Sequence, residues 1–315
     1  MVNFELVKFE IYMNIIFMGT PEFAVPSLEK LHKLYGVKAI VSVLDKEQGR
    51  GRKVKFSPVK EKAIELGIDV LQPEKLKDPE FIEKLKSYNP DIICVIAFRI
   101  LPEEVYSLAK ITSFNIHGSL LPKFRGAAPI NRAIMAGERK TGLTSFILKK
   151  VVDTGDILLR TEIEIYENMT AGELHDALMP MAADLTIETI KLIEKGNFSP
   201  LNQNDEEATP APKIFRDECK LDVNFNVIQA KNHIHGLSPY PAAFILIEDI
   251  EIKLLRVELS DKLIIKGCYL IDKEFLIGVE GGTLKVLELK PQGKSEMKVN
   301  DFINGWRKDK TGILS

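Results

Sequence analysis

The chain has 315 residues, 45% hydrophobic and 28% charged, with a formal net charge of −2. That length exceeds what one hydrophobic core usually organises, so two domains are expected. The near-neutral balance excludes a protein whose whole surface seeks nucleic acid, leaving only a local patch for such binding, and no apolar run approaches the roughly 20 residues that cross a bilayer.

Residues 1–12, MVNFELVKFEIY, lack the basic start, long apolar centre and cleavage site of a signal peptide. Met13 leads directly into a strand, so 1–12 are expected to be an extension ahead of the natural start, a short extra element being the alternative. NIIFM (14–18) is a strand ending at Gly19, after which Thr20, Pro21 and Glu22 read as N-cap, first helical position and first-turn acid. The helix continues through FAVPSLEKLHKL, with Pro26 in its early turns. Strands follow at 37–44, in DVLQP and at 91–97, with helices at 57–67 and near 79–88 between them. DIICVIA (91–97) is unbroken apolar sequence, as expected of a strand buried on both faces. LPEEVYSLAK reads as helix, 111–116 as strand, 127–137 as helix, TGLTSFILKK and DILLRTEIEI as two further strands, and 170–195 as a long helix.

This alternation predicts an α/β domain with a doubly wound, parallel, Rossmann-like sheet, its ligand sites at the carboxyl ends of the strands. NFSPLNQNDEEATPAPK (197–213) is polar, carries three prolines and shows no period, so it reads as a linker. Beyond it come one helix capped by Asn226 and then short, regularly spaced strands with glycine-bearing turns, the pattern of a small OB-like β-barrel. The expected division is 1–12 extension, 13–200 catalytic domain, 201–215 linker and 216–315 barrel domain. Cys94, Cys219 and Cys268 stand far apart and read as reduced packing residues of a cytoplasmic protein, with no spacing that suggests a metal site.

The stretch with most chemistry is SFNIHGSLLPKFRGAAP, residues 113–129. Alternation places Asn115 and His117 on one side of a strand end, where two donors can meet one oxygen. A single histidine at such a place is often only structural. VVDTGDIL sets Asp153 and Asp156 around Thr154 and Gly155, which reads equally as a polar turn or as a catalytic loop. His233 and His235 read as structural, at a helix end followed by S-P-Y-P.

Taken together, the Asn115-x-His117 pair, the SLLPKFRG turn (119–126), the AAPINRA helix start and the VVDTGDIL loop resemble the folate-dependent formyltransferases in order and spacing. FMGTPEFAVPSL (17–28), QGRGRKVKFSPVK (48–60), ATPAPKI (208–214), HGLSPYPAAF (235–244) and LELKPQGKSEMKVNDFINGW (287–306) are similar to the branch of that family acting on methionyl-tRNA. The resemblance implies formyl transfer from 10-formyltetrahydrofolate to the methionine amino group of initiator methionyl-tRNA, without a metal. It implies catalytic roles for Asn115, His117 and Asp153, and folate contact through Ser119, Leu120, Leu121 and Pro122. A monomer without membrane attachment is expected. The alternatives are a related formyltransferase or hydrolase acting on a small molecule and, from another class, a non-catalytic nucleotide- or RNA-binding protein. MGTPEF lacks the GxGxxG pattern that the last would favour.

One segment departs from the family. Ala97-Phe98-Arg99-Ile100-Leu101-Pro102 is one residue short and has no glycine, so Arg99 is expected to narrow the cleft or bring a cation towards the folate. KEQGRGRKVKFSPVKEK (46–62) sets seven basic residues against two acids and reads as a mobile loop at the cleft mouth, suited to phosphate contact. Arg50 matches the family's tRNA-contacting arginine, and Arg52 and Lys53 are expected to act with it.

Overall fold

Strand β1 (Ile15–Gly19) is an interior strand of a seven-stranded sheet in the computed structural model, which describes residues 13–48, 53–196 and 198–314. β2 (Val37–Val41) pairs with β1, while β3 (Lys46–Gln48) and β4 (Lys53–Lys55) form a separate antiparallel hairpin. β5 (Asp69–Leu71), β6 (Ile92–Ile96) and β7 (Thr112–His117) complete a parallel row in the order β5-β2-β1-β6-β7. β8 (Arg125–Gly126) belongs to a different pairing. β9 (Lys140–Ile147) joins β7 antiparallel, and β10 (Ile157–Glu164) closes that edge. The chain thus builds outward from β1 through β2 to β5, then returns to β6 and β7 on the other side. The carboxyl ends at that reversal are where open α/β sheets hold ligands.

Helices α1 (Val25–Tyr35), α2 (Pro58–Glu65), α3 (Pro79–Ser87) and α4 (Glu103–Tyr106) separate these strands. Ile16, Met18, Ile93 and Val95 pack with Phe81 and Leu85 of α3 and Val105 of α4. Ile15, Phe17, Ile92 and Cys94, on the opposite sides of the same strands, are equally buried. Both faces are therefore covered, which explains the unbroken apolar runs; each such large side chain contributes about 1.5–3 kcal/mol. The ends of α3 reflect local chemistry. Asp78 accepts a hydrogen bond from the Glu80 amide at 3.0 Å, Pro79 opens the helix, and Lys84 and Lys86 face the negative end of its dipole. At the first helix the expectation needs correction. Residues 22–24 form a 3₁₀ turn before α1, Pro26 falls in the first turn of α1, and Thr20 caps nothing, its buried hydroxyl having no partner among the described residues.

α5 (Pro129–Met135) and α6 (Ala171–Glu194) come next. Residues 198–213 carry little regular structure, and they are bound. Leu201 bridges Ile157, residues 205–207 make a 3₁₀ turn, and β11 (Pro210–Ala211) pairs in parallel with β8. By contacts the chain divides into two units. One comprises the described part of Met1–His117 with Leu143–Thr161 and Met179–Asp205; the other comprises Gly118–Gly142, Glu162–Leu178 and the described part of Glu206–Ser315.

The second unit is built on an antiparallel sheet. After α7 (Val227–Leu237) come β12 (Ala243–Ile247), β13 (Ile250–Ser260), β14 (Cys268–Ile271), β15 (Phe275–Val279), β16 (Gly282–Pro291) and β17 (Met297–Lys298). α8 (Val299–Gly305) and β18 (Thr311–Ile313) end it, with strand order β12-β13-β16-β15-β14-β18 and β17 on β16. Asn226 caps α7 as expected, accepting from the amides of Ile228 and Gln229 at 3.1 and 2.9 Å, while Gln229 accepts from the Asn226 amide at 3.1 Å.

His233 and His235 are packing residues. His233 lies against Phe225 at 5.2 Å between ring centroids, and the Nε2 of His235 accepts from the Val257 amide at 3.2 Å. Burial pushes both imidazoles down to about 4, helped by Arg132 beside His233 and by Arg256 and Lys231 near His235. Above the ordinary value near 6.5 both states are neutral and stability is full. Between about 6.5 and 4 the unfolded chain takes up protons that the folded chain refuses, so stability falls, by roughly 1–3 kcal/mol per histidine. Urea unfolding at about pH 7.5 and about pH 5 should show the midpoint dropping; an unchanged midpoint would mean that neither imidazole is buried neutral.

Candidate active site

Register sets the site. β7 pairs with β9 so that Asn115 lies opposite Phe146 and His117 opposite Thr144. Asn115 is half-buried and His117 is buried at the carboxyl end of β7. The His117 ring stands edge-on to Phe146, 6.4 Å between centroids at an 81° angle, which limits its rotation. β9 then runs into the 148–156 loop, which carries Asp153 back to the same strand end. The Nδ1 of His117 lies 3.7 Å from Oδ2 of Asp153, and both side chains are at least nine-tenths buried. That separation is longer than a hydrogen bond.

Several contacts hold the loop. Thr154 donates twice to the Val151 carbonyl, from its amide at 3.4 Å and its hydroxyl at 2.9 Å. The Ile147 amide donates to the Asp156 carbonyl at 2.9 Å, and Lys149 pairs with the Asp156 carboxylate at 2.7 Å. Asp153 itself has φ +57°, a left-handed conformation that aspartate tolerates better than most residues. Gly155 is required by space: a Cβ there would lie 1.6 Å from the Ile147 carbonyl oxygen. A residue outside every motif also takes part, since the Gln203 side-chain amide donates to the carbonyls of Asp153 at 2.9 Å and Gly155 at 2.7 Å.

The turn expected to contact folate belongs to the second unit. Ser119, Leu121 and Pro122 are buried, Leu120 is half-buried, and the Ser119 hydroxyl donates to the Lys123 carbonyl at 2.6 Å. Residues 209–211 clamp residues 124–128 through main chain and the Thr209 hydroxyl. The Phe124 amide donates to the Thr209 hydroxyl at 2.9 Å, the Arg125 amide to the Thr209 carbonyl at 2.8 Å and the Ala128 amide to the Ala211 carbonyl at 3.1 Å. Gly126, with φ +129°, lies so close that a Cβ would be 2.5 Å from the Ala211 carbonyl oxygen. In the first unit the Arg99 guanidinium donates to the carbonyls of Pro73 and Glu74 at 2.9 and 3.1 Å and lies 5.3 Å over the Phe98 ring. Partial burial lowers its pKa from the ordinary arginine value. The cation in this shortened segment is thus held by backbone of the neighbouring loop.

The basic run is more structured than expected. β3 and β4 pair with Lys46 opposite Lys55, so the described residues on either side of 49–52 are paired strands, and Arg50 and Arg52 lie outside the described residues. Lys53 opens β4. Two of the seven cations are internal. The Lys60 ammonium meets Asp45 at 2.6 Å and Gln72 at 2.7 Å and sits 4.0 Å over the Phe56 ring; Lys62 pairs with Glu29 and Glu65 at 2.9 and 2.6 Å. These pairs fasten α2 to the end of β2 and to α1. Among the described residues no group of three histidine, cysteine or carboxylate side chains could hold a metal ion, and no helix is long and apolar enough to cross a membrane.

In this mainly parallel sheet an imidazole and a carboxylate meet at the carboxyl end of one strand, which also carries Asn115 two residues earlier. The family profile described as formyl transferase matches residues 13–190, and that described as formyl transferase, C-terminal domain, matches 213–307. The chain belongs to the formyltransferase family. Within it, the chain is 43% identical over 299 residues to the methionyl-tRNA formyltransferase of Caldanaerobacter subterraneus and 44% identical over the same length to that of Clostridium perfringens. Each alignment covers 93% of this chain and 97% of the relative. Among solved structures, the fold is similar to methionyl-tRNA formyltransferase from Clostridium thermocellum (TM-score 0.55, 20% identity, 80% of this chain and 96% of that one). It is also similar to HypX from Aquifex aeolicus in complex with tetrahydrofolic acid (TM-score 0.63, 17% identity, 96% of this chain and 51% of that one).

Proposed function

We infer that this chain transfers the formyl group of 10-formyltetrahydrofolate to the amino group of methionine on initiator methionyl-tRNA, the reaction that prepares this tRNA for translation initiation. Identity above 40% across nearly the whole length to proteins of that name carries the reading. The approach of Asp153 to His117 agrees with it.

The residues suit the chemistry. A neutral amine attacks the formyl carbon and forms a tetrahedral centre with negative oxygen and positive nitrogen. Asn115 and His117 are proposed to donate to that oxygen, each such donor contributing about 2.7–4 kcal/mol by comparison with oxyanion-hole deletions. Asp153 is proposed to orient His117 and to take the proton from the attacking nitrogen through a water; as the centre collapses, the bond to the folate nitrogen breaks and that nitrogen leaves as an amine on receiving the proton. Ser119, Leu120, Leu121 and Pro122 are proposed to contact the folate. Arg50 and Arg52, which fall between β3 and β4 in the chain, are proposed with Lys53 to contact tRNA phosphates. The proposed domain division is 13–200, 201–215 and 216–315, supported by where the two family profiles match. The second sheet is read as an OB-like barrel, and the protein as a cytoplasmic monomer.

Formyl uptake from 10-formyltetrahydrofolate should be measured with charged initiator tRNA, glycinamide ribonucleotide and water as acceptors. Uptake by the tRNA alone is expected; preference for either other acceptor would overturn the reading. Arg50→Ala is expected to raise KM for tRNA and weaken its salt dependence with little change in donor affinity. Equal loss of both substrates would place Arg50 in the folate pocket instead.

A further inference from the structure

We propose that Gln203 is a positioning residue for the Asp153 carboxylate. Its side-chain amide has two N–H bonds, and each is directed to a main-chain carbonyl, of Asp153 at 2.9 Å and of Gly155 at 2.7 Å. Both acceptors are oxygens, so the orientation of the amide is settled by its surroundings. The two carbonyls belong to the Asp153–Thr154 and Gly155–Asp156 peptides, so one amide ties together the peptide planes on either side of the Thr154–Gly155 pair, the first of them being the plane that follows Asp153. That constraint matters because Asp153 has φ +57°, a conformation that needs support from its neighbours. Gly155 pressed against the Ile147 carbonyl limits the loop from the sheet side. Gln203 limits it at a second point, and Leu201, bridged to Ile157 through reciprocal bonds of 2.8 and 2.9 Å, fixes the backbone that delivers Gln203. The segment between α6 and β11 thus has a second task beyond connection: it sets where the carboxylate stands relative to His117.

The inference rests on the catalytic reading of Asp153, and a double-mutant cycle separates the two. Turnover and KM for both substrates would be measured for the full-length chain, Gln203→Leu, Asp153→Asn and the double variant, with initiator tRNA as acceptor. Q203L is expected to lower kcat about 10²-fold, the scale of a misplacement near 1 Å, with KM for donor and tRNA unchanged. In the D153N background the same substitution is expected to cost nothing further, because the group it positions can no longer act. A glutamine that merely stabilised the fold would cost the same in both backgrounds. Wild-type kcat in Q203L alongside an impaired D153N, or equal losses in both backgrounds, overturns this inference alone. Near-normal turnover in D153N removes the catalytic reading and this inference with it. Should Q203L not fold, Gln203→Glu keeps the length but places a carboxylate without N–H donors against two carbonyl oxygens, and the same cycle is read with it.

Discussion

Asp153→Asn is expected to lower turnover about 10²–10⁴-fold, the range of a lost general acid–base, while affinity for 10-formyltetrahydrofolate stays near that of the parent chain. The substitution keeps size and hydrogen-bonding shape but removes the negative charge and the ability to take a proton. Asp153 is at least nine-tenths buried and lies 3.7 Å from the His117 ring, which makes it the carboxylate placed to act on that imidazole. Asp156, three residues on, pairs with Lys149 at 2.7 Å. Single-turnover kinetics with pre-bound donor would separate chemistry from binding. A variant that retained normal turnover would take Asp153 out of the mechanism.

Gly155→Ala is expected to be the most damaging change of a single methyl in the first unit. The added carbon would lie 1.6 Å from the Ile147 carbonyl oxygen, 2.8 Å from its carbon and 3.0 Å from the Phe146 ring. Two of those three atoms are backbone, so no side-chain rotation relieves the clash. The loop must move off β9, stretching the Ile147–Asp156 hydrogen bond and disturbing the Phe146 edge against which His117 rests. Overpacking of this kind costs roughly 1–3 kcal/mol. The displacement should also lower kcat about 10²-fold by moving Asp153 from His117. Thermal unfolding and kinetics on the same preparation would test both parts. Unchanged Tm and turnover would show that the loop is not held against β9.

Much of the candidate site could be proposed from the sequence because its residue types are clustered along the chain. Asn115 and His117 lie two residues apart on one strand, and the SLLPKFRG and VVDTGDIL segments each keep their residues together. Gln203 and Thr209 were not legible: their bonds reach back 50 and 85 residues to loops whose positions depend on the folded sheet. The basic run misled in part for a similar reason. Lys60 and Lys62 add to a local count of cations, yet their partners Asp45, Gln72 and Glu29 come from other elements and neutralise them. Arg99 likewise had no visible partner in its own segment; carbonyls of residues 73 and 74 supply it.

The order of strands and helices, the helix caps at Asp78 and Asn226 and the change from parallel to antiparallel construction arise from forces that act over a few residues: burial periodicity, capping and turn geometry. Those are written in the sequence itself. The meeting of Asp153 with His117, the clamp of Gln203 on the loop and the internal pairing of two basic-run lysines were decided only by tertiary structure. Each depends on which strand edges align and how closely backbones approach, and such distances arise from packing the whole chain.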